Sequence, residues 1–197
     1  LERAAWLSVR GSEGQRELAA EFVGYILQRA RKKGNAVYEK ALEVVEGGKA
    51  VGSLRLTDVK GTEVDVGVRG HVVSVIGGGV QFDESWSGKT LLRIQITAEV
   101  DGVRSDYTMT YGRYGKKSAT VGRAVARASA PGGREADAER FAALIKALTG
   151  EEPGAYEGKD GKIMIECGRE HLEGFMRHAE LAEAIARWLE ETGRRRK

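Results

Sequence analysis

Apolar residues change their spacing twice along this chain, and each change marks a change of secondary structure. Between residues 17 and 29, Leu18, Phe22, Tyr25 and Ile26 recur at three- and four-residue intervals and predict one apolar, inward-facing helix stripe. Arg29, Arg31, Lys32 and Lys33 then fill the last turn, where the helix dipole favours cations, and Gly34 is the stop. A second helix is expected from Asn35, with Val37, Tyr38, Ala41, Leu42 and Val45 inward and Gly47-Gly48 as its end. These helices define an N-terminal helical segment at residues 1–48, ahead of an α+β domain at 49–197.

From residue 51 the period falls to two. Leu54 and Leu56 alternate with Ser53 and Arg55, and after Lys60-Gly61 the valines 64, 66 and 68 alternate with Glu63, Asp65 and Gly67. That pattern predicts an antiparallel hairpin turned at Lys60-Gly61. Residues 71–76 predict a further strand, closed by a turn or bulge at Gly77-Gly78-Gly79. The strongest signal is a ribbon over 91–111. Asp101-Gly102 is a type I′ turn pair, and it sets Val100 against Val103, Ile96 against Tyr107 and Leu92 against Tyr111 on the core side. Arg93, Gln95, Thr97 and Glu99 then share the other face with Arg104, Asp106, Thr108 and Thr110.

Residues 118–130 predict a strand through Val121, Arg123, Val125 and Arg127, broken by Pro131-Gly132-Gly133. A helix follows to Leu148 with Phe141, Leu144, Ile145 and Leu148 inward, then a hairpin of 154–156 against 162–166 turned at Asp160-Gly161. One long helix from about Glu170 is expected to end the fold, its inward face running from Leu172 and Phe175 to Trp188 and Leu189. Strands and helices segregate rather than alternate. The expected fold is therefore α+β: a mostly antiparallel sheet of five to seven strands, covered on one side by helices from both ends of the chain.

Composition narrows the setting. The longest apolar run, 72–76, is far below the roughly 18 residues of a membrane span. The first residues lack the regions of a secretory leader, and a chain opening on Leu1 reads as a trimmed piece. One cysteine, Cys167, excludes an internal disulfide, so a cytoplasmic protein without a membrane partner is expected. Asn35 is the only asparagine among abundant Lys, Arg and Glu, a balance that fits heat adaptation.

Chemistry is sparse. Ser87-Gly88-Lys89-Thr90 looks like the end of a phosphate-binding loop, but Asp83 stands where that motif needs glycine, and a strand rather than a helix follows. Cys167, His171 and His178 lack the paired spacing of a zinc site and read as a buried thiol with two surface histidines. No catalytic residue, metal ligand or cofactor motif is assigned. The polar ribbon face is the functional lead. Arg93, Gln95, Arg104 and Thr108 have the side chains that reach base edges in a DNA major groove, and Arg113, Lys116, Lys117, Arg123 and Arg127 could neutralise phosphates. The same face reads equally as ordinary solvated sheet.

Two resemblances bear on this. The runs 98–103 (Ala98-Glu99-Val100-Asp101-Gly102-Val103), 130–140, 143–150, 163–167, 171–175 and 179–191 resemble the repeat-associated PaREP proteins, type 2b, of hyperthermophilic Crenarchaea. That likeness covers about half of the chain and implies an archaeal, thermophilic origin. The order of strand pair, Ala-Leu-Ile helix, hairpin and long final helix is similar to a LAGLIDADG homing-endonuclease half-domain, which lays a saddle of strands in the major groove. Val44-Val45-Glu46-Gly47-Gly48 resembles the end of that family's motif helix, with Gly48 where its metal-binding acid belongs. The resemblance implies a DNA-binding relic without cleavage, with duplex DNA as partner and a possible homodimer. An active metal-dependent endonuclease and a protein-interaction module are the alternatives.

Overall fold

The computed structural model describes residues 1–115 and 117–193, and the chain divides into two compact units, 1–53 and 54–197. The first unit is three helices: α1 (Glu2–Arg10), α2 (Glu13–Lys33) and α3 (Asn35–Ala50). At the start of α2 the Ser12 backbone N–H donates to Gln15 Oε1 at 3.0 Å, which satisfies one of the orphan donors. Ala5, Val23 and Val45 are its buried centre, with Leu1, Ala4 and Leu27 packed around them. Two expectations fail here. Helix α3 runs through Gly47-Gly48 to Ala50, because Gly48 is where α1 crosses it: a Cβ there would stand 2.5 Å from the Glu2 carbonyl oxygen. The first compact unit runs to Ser53. On α2 the buried residues are Ala19, Val23 and Ala30, while Leu18, Phe22 and Tyr25 of the expected inward stripe face outward.

The second unit is α+β, as the segregation of patterns predicts. Seven strands, β1 (Thr62–Val66), β2 (Arg69–Glu84), β3 (Thr90–Val100), β4 (Val103–Tyr114), β5 (Ala119–Val125), β6 (Gly154–Glu157) and β7 (Ile163–Cys167), form one sheet in the order β1-β2-β3-β4-β5-β7-β6. Every neighbouring pair is antiparallel. Helices α4 (Gly133–Thr149), α5 (Arg169–Phe175) and α6 (Ala179–Gly193) carry the covering apolar residues. Helices α1–α3 hold a core of their own.

The ribbon register is the one expected, from Val100 opposite Val103 to Leu92 opposite Tyr111, and Asp101 and Gly102 both take positive φ in the turn. Two other hairpin readings change. Leu56 does not extend a strand; it is fully buried in a single 3-10 turn, and β1 pairs with β2 across Gly67-Val68 instead of across Lys60-Gly61. The glycines 77–79 do not end a strand. β2 bulges between Val75 and Gly77 and continues to Glu84, with Gly78 under the neighbouring strand, where a Cβ would meet the Gln95 carbonyl at 2.6 Å.

The long C-terminal helix is two helices. Leu54 makes a bridge to His178, donating its N–H to the Arg177 carbonyl at 2.9 Å and accepting from Ala179 N–H at 2.8 Å. Those bonds supply partners that a continuous helix would supply internally, which offsets part of the cost of the break at residues 176–178. His178, read as a surface residue, is buried and its Nε2 donates to the Leu148 carbonyl at 2.8 Å, near the end of α4.

One row crosses the sheet centre: Leu92, Tyr111, Gly122 and Cys167 on β3, β4, β5 and β7. The Tyr111 ring occupies the space a side chain at Gly122 would need, with ring carbons 2.6–2.8 Å from an added Cβ. Overpacking of this kind costs about 1–3 kcal/mol. Gly122→Ala should therefore lower the unfolding free energy from denaturant melts by that order, whereas Gly79→Ala, whose added Cβ meets nothing within 4 Å, should change it by less than about 0.5 kcal/mol. Equal melts for the two variants would contradict the packing described.

Candidate nucleic-acid interface

The sheet has one helix-covered face and one open face, and strand alternation assigns each predicted residue to one of them. Arg93, Gln95, Arg104, Thr108 and Arg123 share the open face, as the alternation requires. They do not stand alone. Asp83, Glu99, Asp106 and Glu166 sit at neighbouring positions of the same face, with Glu63 and Asp65 further out on β1. Arg93 is paired with Asp83 at 2.5 Å and Arg123 with Glu166 at 3.1 Å, while Thr97 donates to Asp106 at 2.6 Å. Three arginines against six carboxylates give this face a formal charge of −3, which repels a phosphate backbone.

Arg113 and Arg127 lie on the helix-covered side. Arg127 holds buried Asp137 on α4, with its Nη2 2.8 Å from Oδ1, and lies over the Tyr107 ring. That is a brace between β5 and α4, and removing one partner would strand a buried charge. Arg113 donates to Thr120 at 2.6 Å and stacks 5.3 Å from the centre of the Trp188 ring. Lys116 lies outside the described residues. The expected single patch is therefore split, because the pleat sends Arg113 to the opposite face from Arg93 and Arg123.

Arg113 instead helps to line a groove of about 1190 Å³ at one end of the sheet. Lys89 enters from the β2–β3 loop, Lys117 from the β4–β5 turn, and Arg169 from the start of α5; Glu170 and Glu191 are its acidic residues. Four cations against two carboxylates leave the lining at +2. Backbone at Gly115, Gly168 and Gly193 completes the wall, and the sequence continues from Gly193 into Arg194-Arg195-Arg196-Lys197. Trp86, three residues before Lys89 at the tip of the same loop, is fully exposed. Lys89 and Arg169 were missed by the sequence reading. The signal for Lys89 was the phosphate-loop lookalike; Gly88 does take a tight turn with positive φ, but Thr90 begins a strand, so no helix N-terminus follows.

A smaller concavity of about 390 Å³ lies at the opposite end, beside the β3–β4 turn. There Asp101 accepts from the Val72 N–H at 2.9 Å and meets His71 Nδ1 at 2.7 Å. Burial pushes the Asp101 carboxyl up, but those two partners outweigh it and hold it below its ordinary value. Arg69 pairs with Glu139 at 3.1 Å across the mouth. The charges cancel, and this end ties the turn to β2.

Cys167, His171 and His178 do not converge. The His171 Nδ1 accepts from the Gly168 N–H at 3.1 Å, His178 binds the Leu148 carbonyl, and Cys167 is buried beside Tyr111. Among the described residues no group of three His, Cys, Asp or Glu side chains is placed to hold a metal ion. No described helix is long and apolar enough to cross a membrane. Compared with protein-family models, with functionally described proteins and with solved structures, the chain matches none.

Burial pushes the Cys167 thiol up to about 12 and moves the Tyr111 phenol upward as well. A thiol raised in the folded state contributes stability that is complete below its unfolded value, roughly 8.5, and is lost as pH rises through the folded one. Stability should thus fall between about pH 8.5 and 12. At pH 8 the native protein should resist iodoacetamide while the unfolded chain reacts within minutes; rapid native alkylation would contradict this placement.

Proposed function

We propose that this protein binds nucleic acid by holding the phosphate backbone in the groove lined by Lys89, Arg113, Lys117 and Arg169. The observation that carries the reading is the separation of charge: the groove lining is cationic, with a basic tetrad next in sequence, while the open sheet face is acidic. Lysine and arginine around a groove release counterions from a polyanion, which is the main source of sequence-independent affinity. Trp86 adds a flat, fully exposed ring beside Lys89, suited to stacking on an unpaired base. Duplex DNA remains the partner the sequence suggests, bound through phosphates rather than read through Arg93 and Gln95.

Cleavage is not part of this proposal. At Gly48, where the LAGLIDADG resemblance would place a metal-binding acid, the crossing of α1 leaves no room for a side chain. The relation to that family and to the PaREP proteins and a cytoplasmic setting belong to the same proposal. Purified protein with magnesium or manganese should leave supercoiled DNA uncut; divalent-dependent nicking that a carboxylate substitution abolishes would reverse this part.

Gel shifts with random duplex and single-stranded DNA at two salt concentrations test the binding itself. Affinity should fall by about 0.9 log unit per phosphate contact per tenfold salt increase for duplex, and about 0.7 for single strands. Lys89→Ala with Lys117→Ala should flatten that slope by roughly two contacts, whereas Arg93→Ala should change neither affinity nor sequence preference. Trp86→Ala should weaken single-strand binding by about 1–3 kcal/mol and duplex binding far less. No shift at low salt would remove the reading, and a preference altered by Arg93→Ala would return it to the open face.

A further inference from the structure

Helix α2 is apolar on two stripes, and only one of them is used inside its unit. Ala19, Val23 and Ala30 are buried, as the first stripe. About a third of a turn away, Leu18, Phe22 and Tyr25 are 71%, 47% and 53% exposed, a continuous row at four- and three-residue spacing. Single exposed apolar residues are ordinary, but a row of large ones on one helix face marks a contact surface. Arg29 continues the row and lies over the Tyr25 ring, its Nη1 donating to the hydroxyl at 2.9 Å, so the stripe ends in a held cation.

The charges along α2 choose the partner. Glu13, Glu17 and Glu21 lie in its first half, with Arg16 as the one opposing charge, and Arg29, Arg31, Lys32 and Lys33 lie in its last turns. A helix acidic at one end and basic at the other is complementary to itself when reversed. We infer that α2 pairs antiparallel with α2 of a second copy of this chain, centred between Phe22 and Tyr25. In that arrangement Phe22 of each copy meets Tyr25 of the other about the two-fold axis, and Leu18 packs on the aliphatic stem of Arg29. Glu21 of one copy comes within a turn of Arg29 of the other, and Glu17 comes near Lys32 on the same flank of the stripe. A parallel pairing would set like charges against each other and loses on that ground. The inference stands apart from nucleic-acid binding, since it uses neither the groove nor the sheet.

Sedimentation of the full chain across about 1–100 μM, a range chosen for a single helix-pair contact, tests it. The wild type should sediment as a dimer at the upper end. Phe22→Glu should be monomeric with an unchanged helical circular dichroism spectrum, since the side chain is on the surface. Glu21→Lys and Arg29→Glu should each raise the dissociation constant at least fivefold, and the double exchange should restore most of that loss by re-forming the pair in swapped sense. A wild type that is monomeric throughout would overturn the inference and leave the stripe to a different partner. So would a dimer indifferent to Phe22→Glu, or a double exchange no better than the singles.

Discussion

The Tyr111 ring rests where Gly122 has no side chain, and the middle of the sheet is built around that contact. The row from Leu92 through Tyr111 and Gly122 to Cys167 is fully sequestered from solvent at its three side chains, and it joins the long β2–β3–β4 ribbon to the short strands β5 and β7. Glycine is needed there because an interior at crystal-like density has no spare volume for even one methyl group. One pair further along β4 the same face carries Arg113, held by Thr120 and the Trp188 ring. Trp188 in turn donates to the Thr90 carbonyl at 3.1 Å and fixes α6 over the start of β3. The groove walls are therefore set by the sheet's own core.

Charge follows that geometry. On the open face, arginines and carboxylates stand at neighbouring ladder positions, and Arg93 and Arg123 are paired locally before a ligand arrives. At the groove, loops and a helix start converge from four places in the chain and bring cations of separate elements together. Convergence at loop ends lets a rigid sheet present charge without sacrificing its ladder pairs. The opposite end of the sheet shows the contrary arrangement, where Asp101 uses its carboxylate to hold a turn to the neighbouring strand.

The N-terminal unit makes a different compromise. Three helices with so small a core gain stability by approaching closely, and Gly48 against Glu2 and Ala5 is the point of approach. Small residues then take the inner face of α2, and its large apolar residues are displaced to the outer face. That leaves an amphipathic surface whose charge gradient is self-complementary, in a unit that buries few large side chains of its own.

What the sequence determined by itself is local. Period-two alternation and the Asp101-Gly102 turn dictated the central ribbon to the residue, because a one-residue slip would turn its whole apolar face to water. Phe141, Leu144, Ile145 and Leu148 identified the inner face of α4 for the same kind of reason. The α+β class followed from the order of those patterns. What only the tertiary structure decided concerns distances between segments remote in sequence. Periodicity could not show that Leu54 would bond across to Arg177 and Ala179 and split the last helix, or that Gly48 would sit beneath α1. Nor could it show that Arg113 and Lys117 would join Lys89 and Arg169 at the end of the sheet, while Arg93 and Arg123 found carboxylates on its face. Hydrophobic period reports which side of an element is inward; which charges then meet depends on how the elements are brought together, and that information lies in no single stretch of chain.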